Sequence, residues 1–315
     1  MMTNNFWFVT FGDSRLSDSH QRIRCQADDL GVFGNRIRIF SEKDLDAEFR
    51  KKMKEHLIPG SRGFGYWCWK PQVISQVMRE MQDGDILLYA DIGCHLRKQG
   101  LPRLKEYFEL TDRHGVVAFQ SRSLGEDARN NLSLHFLPER RWTKMDLLKY
   151  FGVDSNKKIL DSGQIGSGII LLKKNRTSLH IVEKWAEVFE RYFNLCDDSL
   201  STFPNFPDFV ENRHDQSVFS LLCKINDIYT LSSAEYVIIE EYMPIGANRD
   251  FWPTRWVDIY DRPVWAKRDL GKYTTLVACP DWLKPILGKR GRRCASKIYD
   301  FINPLLRRVL RRCHL

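Results

Sequence analysis

An aspartate placed directly after a run of five apolar residues is costly unless something uses its charge. Asp91 closes such a run, Ile86-Leu-Leu-Tyr-Ala90, itself opened by the turn Asp83-Gly-Asp85. A divalent cation bridging a diphosphate would use it, because Mg²⁺ takes one or two carboxylates together with phosphate oxygens; a turn or helix-capping role is the plainer alternative. A second group, Asn212-Arg-His-Asp-Gln-Ser217, opens a stretch with apolar Val218, Phe219, Leu221 and Leu222. Asn212 and Asp215 have the spacing of an N-cap with an acid in the first turn, yet Arg213, His214, Asp215 and Gln216 exceed what a cap needs. Phe64-Gly-Tyr-Trp-Cys-Trp-Lys70 sets aromatic faces, suited to a base or a sugar ring, beside a lysine suited to a phosphate. Trp67 and Trp69 fit a packed core as well. Gln164-Ile-Gly166-Ser-Gly168 leads small residues into a buried strand, either for close approach of a ligand or backbone or as a tight start. Thr143-Lys-Met-Asp146 has the form of a capping box, and Asp146 is read as structural.

These residues need a scaffold, and the pattern predicts an α/β one. Strands are expected over 6–11 (aromatic and β-branched, ending in Gly12-Asp13), 36–40, 86–90, 115–120 and 165–172. Helices are expected from Ser17 to about Leu30, from a capping box at Ser41-Glu-Lys-Asp44 to about Leu57, over 67–81 with Pro71 in the first turn, and around 174–193 with Trp185, Val188 and Phe189 on one stripe. Alternation of strands with helices of this length implies a sheet that is at least partly parallel, whose ligands sit beyond the carboxyl ends of its strands.

The chain has 315 residues, 43% of them apolar, enough for one large core or two modest ones. Ten Lys and Arg against two acids in residues 281–315 account for eight of the nine net positive charges, so the preceding 280 residues carry one. A globally basic nucleic-acid binder is therefore disfavoured. The eight cysteines form no C-x-x-C pair and read as reduced thiols, with no zinc spacing. No apolar run approaches the roughly 18–20 residues of a membrane span, and the run at 6–11 is too short for a signal-peptide core; the expectation is a cytoplasmic protein. In 281–315 apolar residues such as Ile298, Ile302, Leu305 and Leu310 alternate with arginines, the pattern of an interfacial helix on an anionic leaflet. An RNA-binding tail has the same charge signature.

Five segments in order, Gly65-Tyr-Trp-Cys-Trp-Lys-Pro71, Gly84-Asp-Ile-Leu-Leu-Tyr-Ala-Asp-Ile-Gly-Cys94, Trp142-Thr-Lys144, Gly166-Ser-Gly-Ile-Ile-Leu-Leu-Lys-Lys174 and Arg213-His-Asp-Gln-Ser217, resemble a bacterial glycosyltransferase of the GT-A type from polysaccharide or lipopolysaccharide loci. The resemblance covers roughly residues 5–230, and the order is similar to that of the retaining galactosyltransferase and glycogenin group. It implies a single GT-A (Rossmann-like) nucleotide-sugar-binding domain with a mixed central sheet over 1–275, followed by a basic amphipathic helical tail over 276–315. It makes Asp91 the first carboxylate of an Asp-x-Asp motif, Lys70 a donor-contacting residue, and Asp215 and Gln216 neighbours of the donor sugar and the attacking hydroxyl. Thr10, Gly12 and Asp13, with Arg22 nearby, would border the nucleotide base. Tyr66, Trp67, Gly93, Gly166, Ser167, Gly168 and His214 would complete the donor site.

The second Asp of the motif is Gly93 here, and a late His-x-x-Gly-x-x-Lys-Pro-Trp motif is absent. Two ways of neutralising the leaving diphosphate stay open: Mg²⁺ or Mn²⁺ at Asp91, or the side chains of Lys70, Arg262, Lys267 and Arg268. In an inverting reaction Asp215 would be the general base; in a retaining one, toward which the resemblance leans, Gln216 would stabilise the cationic sugar. The implied partners are a nucleotide-sugar donor, UDP-sugar favoured, and a lipid-linked or lipid A-core glycan acceptor. The tail would hold the protein at the inner face of the cytoplasmic membrane; no nucleic acid is expected. The rival readings are a nucleotidyltransferase with a similar sheet, and a membrane- or RNA-binding scaffold in which Asp91 and Asp215 are structural.

Overall fold

The computed structural model describes residues 5–122, 137–236 and 262–266. The chain divides into two units, Met1–Leu270 and Gly271–Leu315, and every described residue belongs to the first. The basic tail, with the domain boundary expected at 275, lies outside the described residues.

Six strands form the main sheet: β1 (Phe6–Phe11), β2 (Ile37–Phe40), β3 (Ile86–Ala90), β5 (Val116–Gln120), β6 (Ile165–Lys173) and β7 (Tyr229–Ser232), in the order β2-β1-β3-β6-β5-β7. β1 runs parallel to both β2 and β3, with Phe8 opposite Ile37 and Leu88. β6 is antiparallel to β3 and β5, with Leu171 opposite Leu88 and Val117, and β5 is parallel to β7. Five strands thus run one way and β6 runs against them. A two-stranded ribbon joins β4 (His95–Leu96) to β8 (Val264–Trp265). The helices are α1 (Ser17–Leu30), α2 (Ala47–Lys52), α3 (Gly63–Tyr66), α4 (Trp69–Glu80), α5 (Leu101–His114), α6 (Glu139–Trp142), α7 (Met145–Tyr150), α8 (Lys157–Leu160), α9 (Arg176–Arg191) and α10 (Asp215–Ile225).

Side chains alternate across the strands and fill two cores. Trp7, Val9, Phe11, Leu87, Tyr89, Ile170 and Leu172 face α4, α9 and α10 through Val73, Ile74, Trp185 and Phe219. Phe8, Ile86, Leu88, Ile169 and Leu171 face α1 and α5 through Ile23, Ala27, Leu104 and Phe108. With both faces covered, all five residues of β3 are buried, which is why its sequence is continuously apolar rather than alternating. Among the described residues no helix is long and apolar enough to cross a membrane.

Two local readings are corrected. Ser41-Glu-Lys-Asp44 closes a turn, with the Ser41 amide and hydroxyl both donating to Asp44 Oδ2 at 2.7 Å, and the helix begins only at Ala47 and lasts six residues. Asp46 holds the Gln72 amide and Arg79 of α4, so tertiary bonds set where α2 starts. The second concerns Thr143–Asp146: Asp146 accepts from the amides of Thr202 (2.8 Å) and Phe203 (3.0 Å), tying a distant loop to α7 rather than capping its own helix.

The direction of the strands fixes where chemistry can happen. The carboxyl ends of β1, β3 and β5 and the beginning of antiparallel β6 share one edge, followed by Gly12, Asp91, Ser121 and preceded by Gln164. Trp185, fully buried on α9 with its ring 4.8 Å from Phe219 on α10, locks the helical layer beneath that edge. Trp185→Ala is expected to lower the free energy of urea unfolding by about 3–5 kcal/mol; a loss below about 1 kcal/mol would show that the layer repacks without it.

Candidate functional site

The edge is organised around one ammonium group. Lys70, in the first turn of α4, is 2% exposed, and its Nζ lies 2.7 Å from Asp215 Oδ2 and 3.2 Å from Asp91 Oδ1. It also donates to the carbonyl and hydroxyl of Ser167, each at 3.2 Å, and sits 5.3 Å from the centre of the Tyr89 ring. Burial alone would push the lysine down, but the attraction of Asp215 and Asp91 outweighs it and holds Lys70 above its ordinary value. Asp215 is 4% exposed; its Oδ2 also accepts from Ser167 Oγ at 2.7 Å. Burial pushes its carboxyl up, against the pull of Lys70. Asp91 differs: its side chain is 41% exposed, its Oδ1 accepts from the Tyr89 hydroxyl at 2.7 Å, and its amide is bonded to the Gly168 carbonyl. A methyl group at Gly168 would lie 3.0 Å from Asp91 Oδ2, so the glycine leaves that oxygen room. Asp91, Lys70, Ser167, Gly168 and Asp215 are thus in one place, with one carboxylate open to solvent and one sealed.

The residues before Lys70 reach it through an uncommon backbone. Gly63, Phe64, Gly65, Tyr66 and Trp67 all have positive φ (58, 50, 88, 53 and 61°), and the amides of Tyr66 and Trp67 bond the carbonyls four residues back. This is one turn of left-handed helix. The three non-glycine residues cost roughly 3–6 kcal/mol together at about 1–2 kcal/mol each. Gly63 is required because a Cβ there would fall 2.4 Å from the Trp67 ring. The turn sets Tyr66 and Trp67 against His214, with ring centres 4.8 and 5.8 Å away. His214 is strained too (φ 54°, ψ −119°) and buried. Its Nδ1–H donates to the Cys196 carbonyl at 2.7 Å, leaving the lone pair on Nε2, and burial lowers its pKa so that the ring is neutral. Tyr66, Trp67 and His214 therefore form a second cluster, joined to the first through the chain at Lys70 and Asp215.

Other expected site residues support this edge from below. Arg22 is buried in α1 and donates to the carbonyls of Ile92 (2.5 Å) and Cys94 (2.7 Å). It clamps the turn that carries Asp91 and Gly93, with its guanidinium facing backbone. Asp13 caps a short turn and pairs with Arg15 at 2.5 Å. The Gly12 carbonyl bonds His20 Nε2 at 2.8 Å, and Thr10 is buried with its Oγ1 unbonded among the described residues. Gly166 lies under Tyr236, whose hydroxyl a Cβ would meet at 2.5 Å. Asn212 is not the cap of α10: it accepts from the Lys144 amide at 3.3 Å and donates to the carbonyls of Leu195 and Cys196. Arg262 pairs with Glu235 at 2.9 Å, while Lys267 and Arg268 lie outside the described residues.

Sequence reading missed Glu139, and read Gln164 only as the entry to a buried strand. Glu139 is fully buried and accepts from Lys224 Nζ at 2.7 Å, from the hydroxyls of Thr143 and Ser220, and from the Gln164 amide at 3.1 Å; Gln164 in turn accepts from Gln216 Nε2 at 2.5 Å. The partners are up to 85 residues apart, so no local spacing reveals them. The one signal was Gln164 itself, a polar residue leading into an apolar strand.

The residues present do not make a metal site by themselves. Asp91 is a single carboxylate with one oxygen already held by Tyr89 and Lys70, glycine stands at 93, and among the described residues no three acidic, histidine or cysteine side chains converge.

No family model matches the sequence, and no curated protein matches it. Among solved structures the chain is similar to a glycosyltransferase involved in glycosylation of the major capsid of PBCV-1 (10% identity, 83% of this chain and 92% of that one, TM-score 0.43). It is also similar to mouse xyloside xylosyltransferase 1 (10%, 87% and 100%, 0.39) and to the galactosyltransferase LgtC bound to donor and acceptor sugar analogues (12%, 94% and 94%, 0.35). Likenesses this distant carry no argument about activity; the side chains must.

The lysine-centred cluster makes a prediction about stability. Lys70→Met leaves the buried Asp215 without its partner and is expected to cost about 3–5 kcal/mol, whereas Lys70→Met with Asp215→Leu recovers most of that loss. In Lys70→Met the push of burial on Asp215 is opposed only by the Ser167 hydroxyl, so its folded-state pKa exceeds the unfolded one by more than in the wild type. The penalty is then largest at neutral pH and shrinks as pH falls and the carboxyl takes its proton. Urea unfolding between pH 4 and 8 checks both points, and a pH-independent penalty would refute the pairing.

Proposed function

We propose that the protein is a glycosyltransferase that moves a sugar from a nucleotide-diphosphate donor to a glycan acceptor of lipopolysaccharide, O-antigen or capsule. The observation that carries this is the meeting of Asp91 and Asp215, 124 positions apart in sequence, at the Lys70 ammonium on the carboxyl edge of the sheet, with Gln216 alongside.

Breaking the anomeric carbon–oxygen bond of a sugar nucleotide puts negative charge on the diphosphate and positive charge on the sugar ring. The Lys70 cluster holds one ammonium between two carboxylates, so it is suited to the ring rather than to the diphosphate. The open carboxylate of Asp91 and the side chain of Gln216 are the groups offered to that positive charge. Lys70, sealed and fully paired, orients Asp91 instead of meeting the phosphates. Asp215 is likewise held, its Oδ2 taken by Lys70 and Ser167, which leaves it poorly placed to deprotonate an acceptor hydroxyl. This supports retention of configuration. The diphosphate then needs cations from elsewhere. Lys267 and Arg268 follow β8, which pairs with β4 four residues after Asp91; Arg262, which precedes β8, is already paired with Glu235. Tyr66, Trp67 and His214 are the aromatic groups available to a base or sugar face.

Purified protein incubated with a panel of sugar nucleotides, UDP-sugars first, is expected to hydrolyse one slowly and to transfer it faster when a glycan acceptor is present. Asp91→Asn should lower kcat by about 10²–10³-fold, and Asp146→Ala, whose carboxylate only ties the 202–203 loop, should leave it within a few-fold. Absence of binding to every sugar nucleotide at millimolar concentration would end the proposal in favour of a scaffold.

The same proposal places the protein at the inner face of the cytoplasmic membrane, acting on a lipid-linked or lipid A-core acceptor, through the net charge of eight on residues 281–315. At about 1 kcal/mol per basic residue near an anionic surface, the full chain should co-sediment with anionic vesicles and not with zwitterionic ones. A chain ending at 280 should lose that binding while keeping its sugar-nucleotide chemistry, and equal sedimentation of both forms would refute the anchor.

A further inference from the structure

Gln216 can serve a cationic sugar only if the oxygen end of its side-chain amide faces the site, and the structure contains a device that decides which end does. The carboxylate of Glu139, fully buried behind the site, can only accept hydrogen bonds. The Lys224 ammonium and the Ser220 hydroxyl occupy its Oε2, at 2.7 and 2.5 Å, and the Thr143 hydroxyl and Gln164 Nε2 occupy its Oε1, at 2.5 and 3.1 Å. The Trp142 carbonyl, another pure acceptor, lies 3.2 Å from the same Gln164 nitrogen. Gln164 must therefore turn its NH₂ inward and its Oε1 outward. That oxygen meets Gln216 at 2.5 Å, and two carbonyl oxygens cannot share such a contact, so Gln216 must donate with Nε2. Its own Oε1, which accepts from no described residue, is the end left over.

We propose that Glu139 is a positioning residue which, through Gln164, fixes the polarity of the Gln216 amide so that its carbonyl oxygen is the end presented to the donor sugar. The assignment of that oxygen's task rests on the glycosyltransferase reading; the orientation itself does not. Replacing Glu139 by glutamine keeps the shape and reverses the sequence of donors and acceptors. Lys224 still demands an oxygen, so the new NH₂ would face Gln164. The Trp142 carbonyl keeps the Ser217 hydroxyl, which donates to it at 2.7 Å, when Gln164 turns its own oxygen inward to meet that NH₂, and Gln216 would then present NH₂ to the site.

The test reads orientation and chemistry separately. In protein labelled with ¹⁵N at glutamine side chains, the Gln216 NH₂ signal, assigned by its loss in Gln216→Leu, should exchange with water at least tenfold faster in Glu139→Gln than in the wild type. For the sugar nucleotide that the wild type turns over, Glu139→Gln should lower kcat at least tenfold with the donor KM within about twofold. Adding Gln216→Glu, which offers an oxygen at either end, should restore part of that loss, a rescue that a merely structural role for Glu139 would not give. If Glu139→Gln does not fold by urea titration, Gln164→Leu carries the same two measurements, because it cuts the relay while leaving Glu139 bonded to Lys224, Ser220 and Thr143. Unchanged exchange of the Gln216 amide would overturn the inference. So would unchanged kcat, or a kcat loss that Gln216→Glu fails to relieve. Slow exchange in the wild type and fast exchange in the variant, with no sugar nucleotide turned over by either, would keep the orientation device and refute the glycosyltransferase reading alone.

Discussion

A lysine ammonium enclosed in protein must be given back in ion pairs and hydrogen bonds what it loses by leaving water, a loss of several kcal/mol even after relaxation. Here α4 supplies Lys70 and the return comes from three other segments at once: the end of β3 supplies Asp91, the start of β6 supplies Ser167, and the start of α10 supplies Asp215. Removing Lys70 would leave the sealed Asp215 carboxylate unpaired, so the four segments are held in a single register. The consequence is geometric. Asp91, the member of the group that remains open, is fixed by the Tyr89 hydroxyl on one side, by Lys70 on another, and through its own turn by Arg22 beneath.

Delivering Lys70 to that point has its own cost, visible in the backbone. Of the five non-glycine residues with positive φ among the described ones, Phe64, Tyr66 and Trp67 belong to the turn that precedes Lys70, and His214 immediately precedes Asp215. Strain of this size persists only where the surroundings over-determine it, and they do. Gly63 and Gly65 make space for the Trp67 ring and the His56 carbonyl, Phe64 stacks over Phe11, and the Trp69 indole donates to the Gly63 carbonyl at 2.9 Å. The two strained sites face each other through Tyr66, Trp67 and His214. Among the described residues the chain therefore distorts on both sides of one ion pair and hardly anywhere else, which ties the distortion to the pair.

What the sequence showed follows from which interactions are local. Continuous apolarity in β3 and the run of aromatic and β-branched residues in β1 are local consequences of burial, and both strands lie where the pattern puts them. The acid after β3 and the crowded start of α10 were visible because a charge at the end of a buried element is conspicuous by itself. The direction of β6 was not visible, since hydrophobic pattern is blind to strand polarity. Ser41–Asp44 misled because a capping box and a hydrogen-bonded turn share one spacing, and the choice was made by Asp46, which is engaged with α4. Glu139, within the charged run Pro138-Glu-Arg-Arg141, looks like a solvated surface acid; only the fold shows it buried against Lys224. Asp215 was recognisable as important but not in its role, because whether a carboxylate is a base or the partner of a cation depends on its exposure.

That last distinction shapes the chemistry more than any single residue does. Two carboxylates and one ammonium leave the centre of the edge with one net negative charge, and the buried Glu139–Lys224 pair behind it adds none. A region of this sign attracts a developing cation and repels a diphosphate, so the two ends of a sugar nucleotide cannot both lie against it. Under the proposed glycosyltransferase function, the donor would lie with its sugar over Asp91 and Gln216 and its phosphates displaced toward positively charged groups outside the cluster. The segment that flanks β8 supplies such groups in sequence, and β8 is bound to the strand that follows the Asp91 turn, with Gly100 allowing Pro263 to approach closer than any side chain would permit. On that reading, charge separation along the donor is built into the edge before any substrate arrives, the condition under which an electrostatic site accelerates the breaking of a polar bond without reorganising itself.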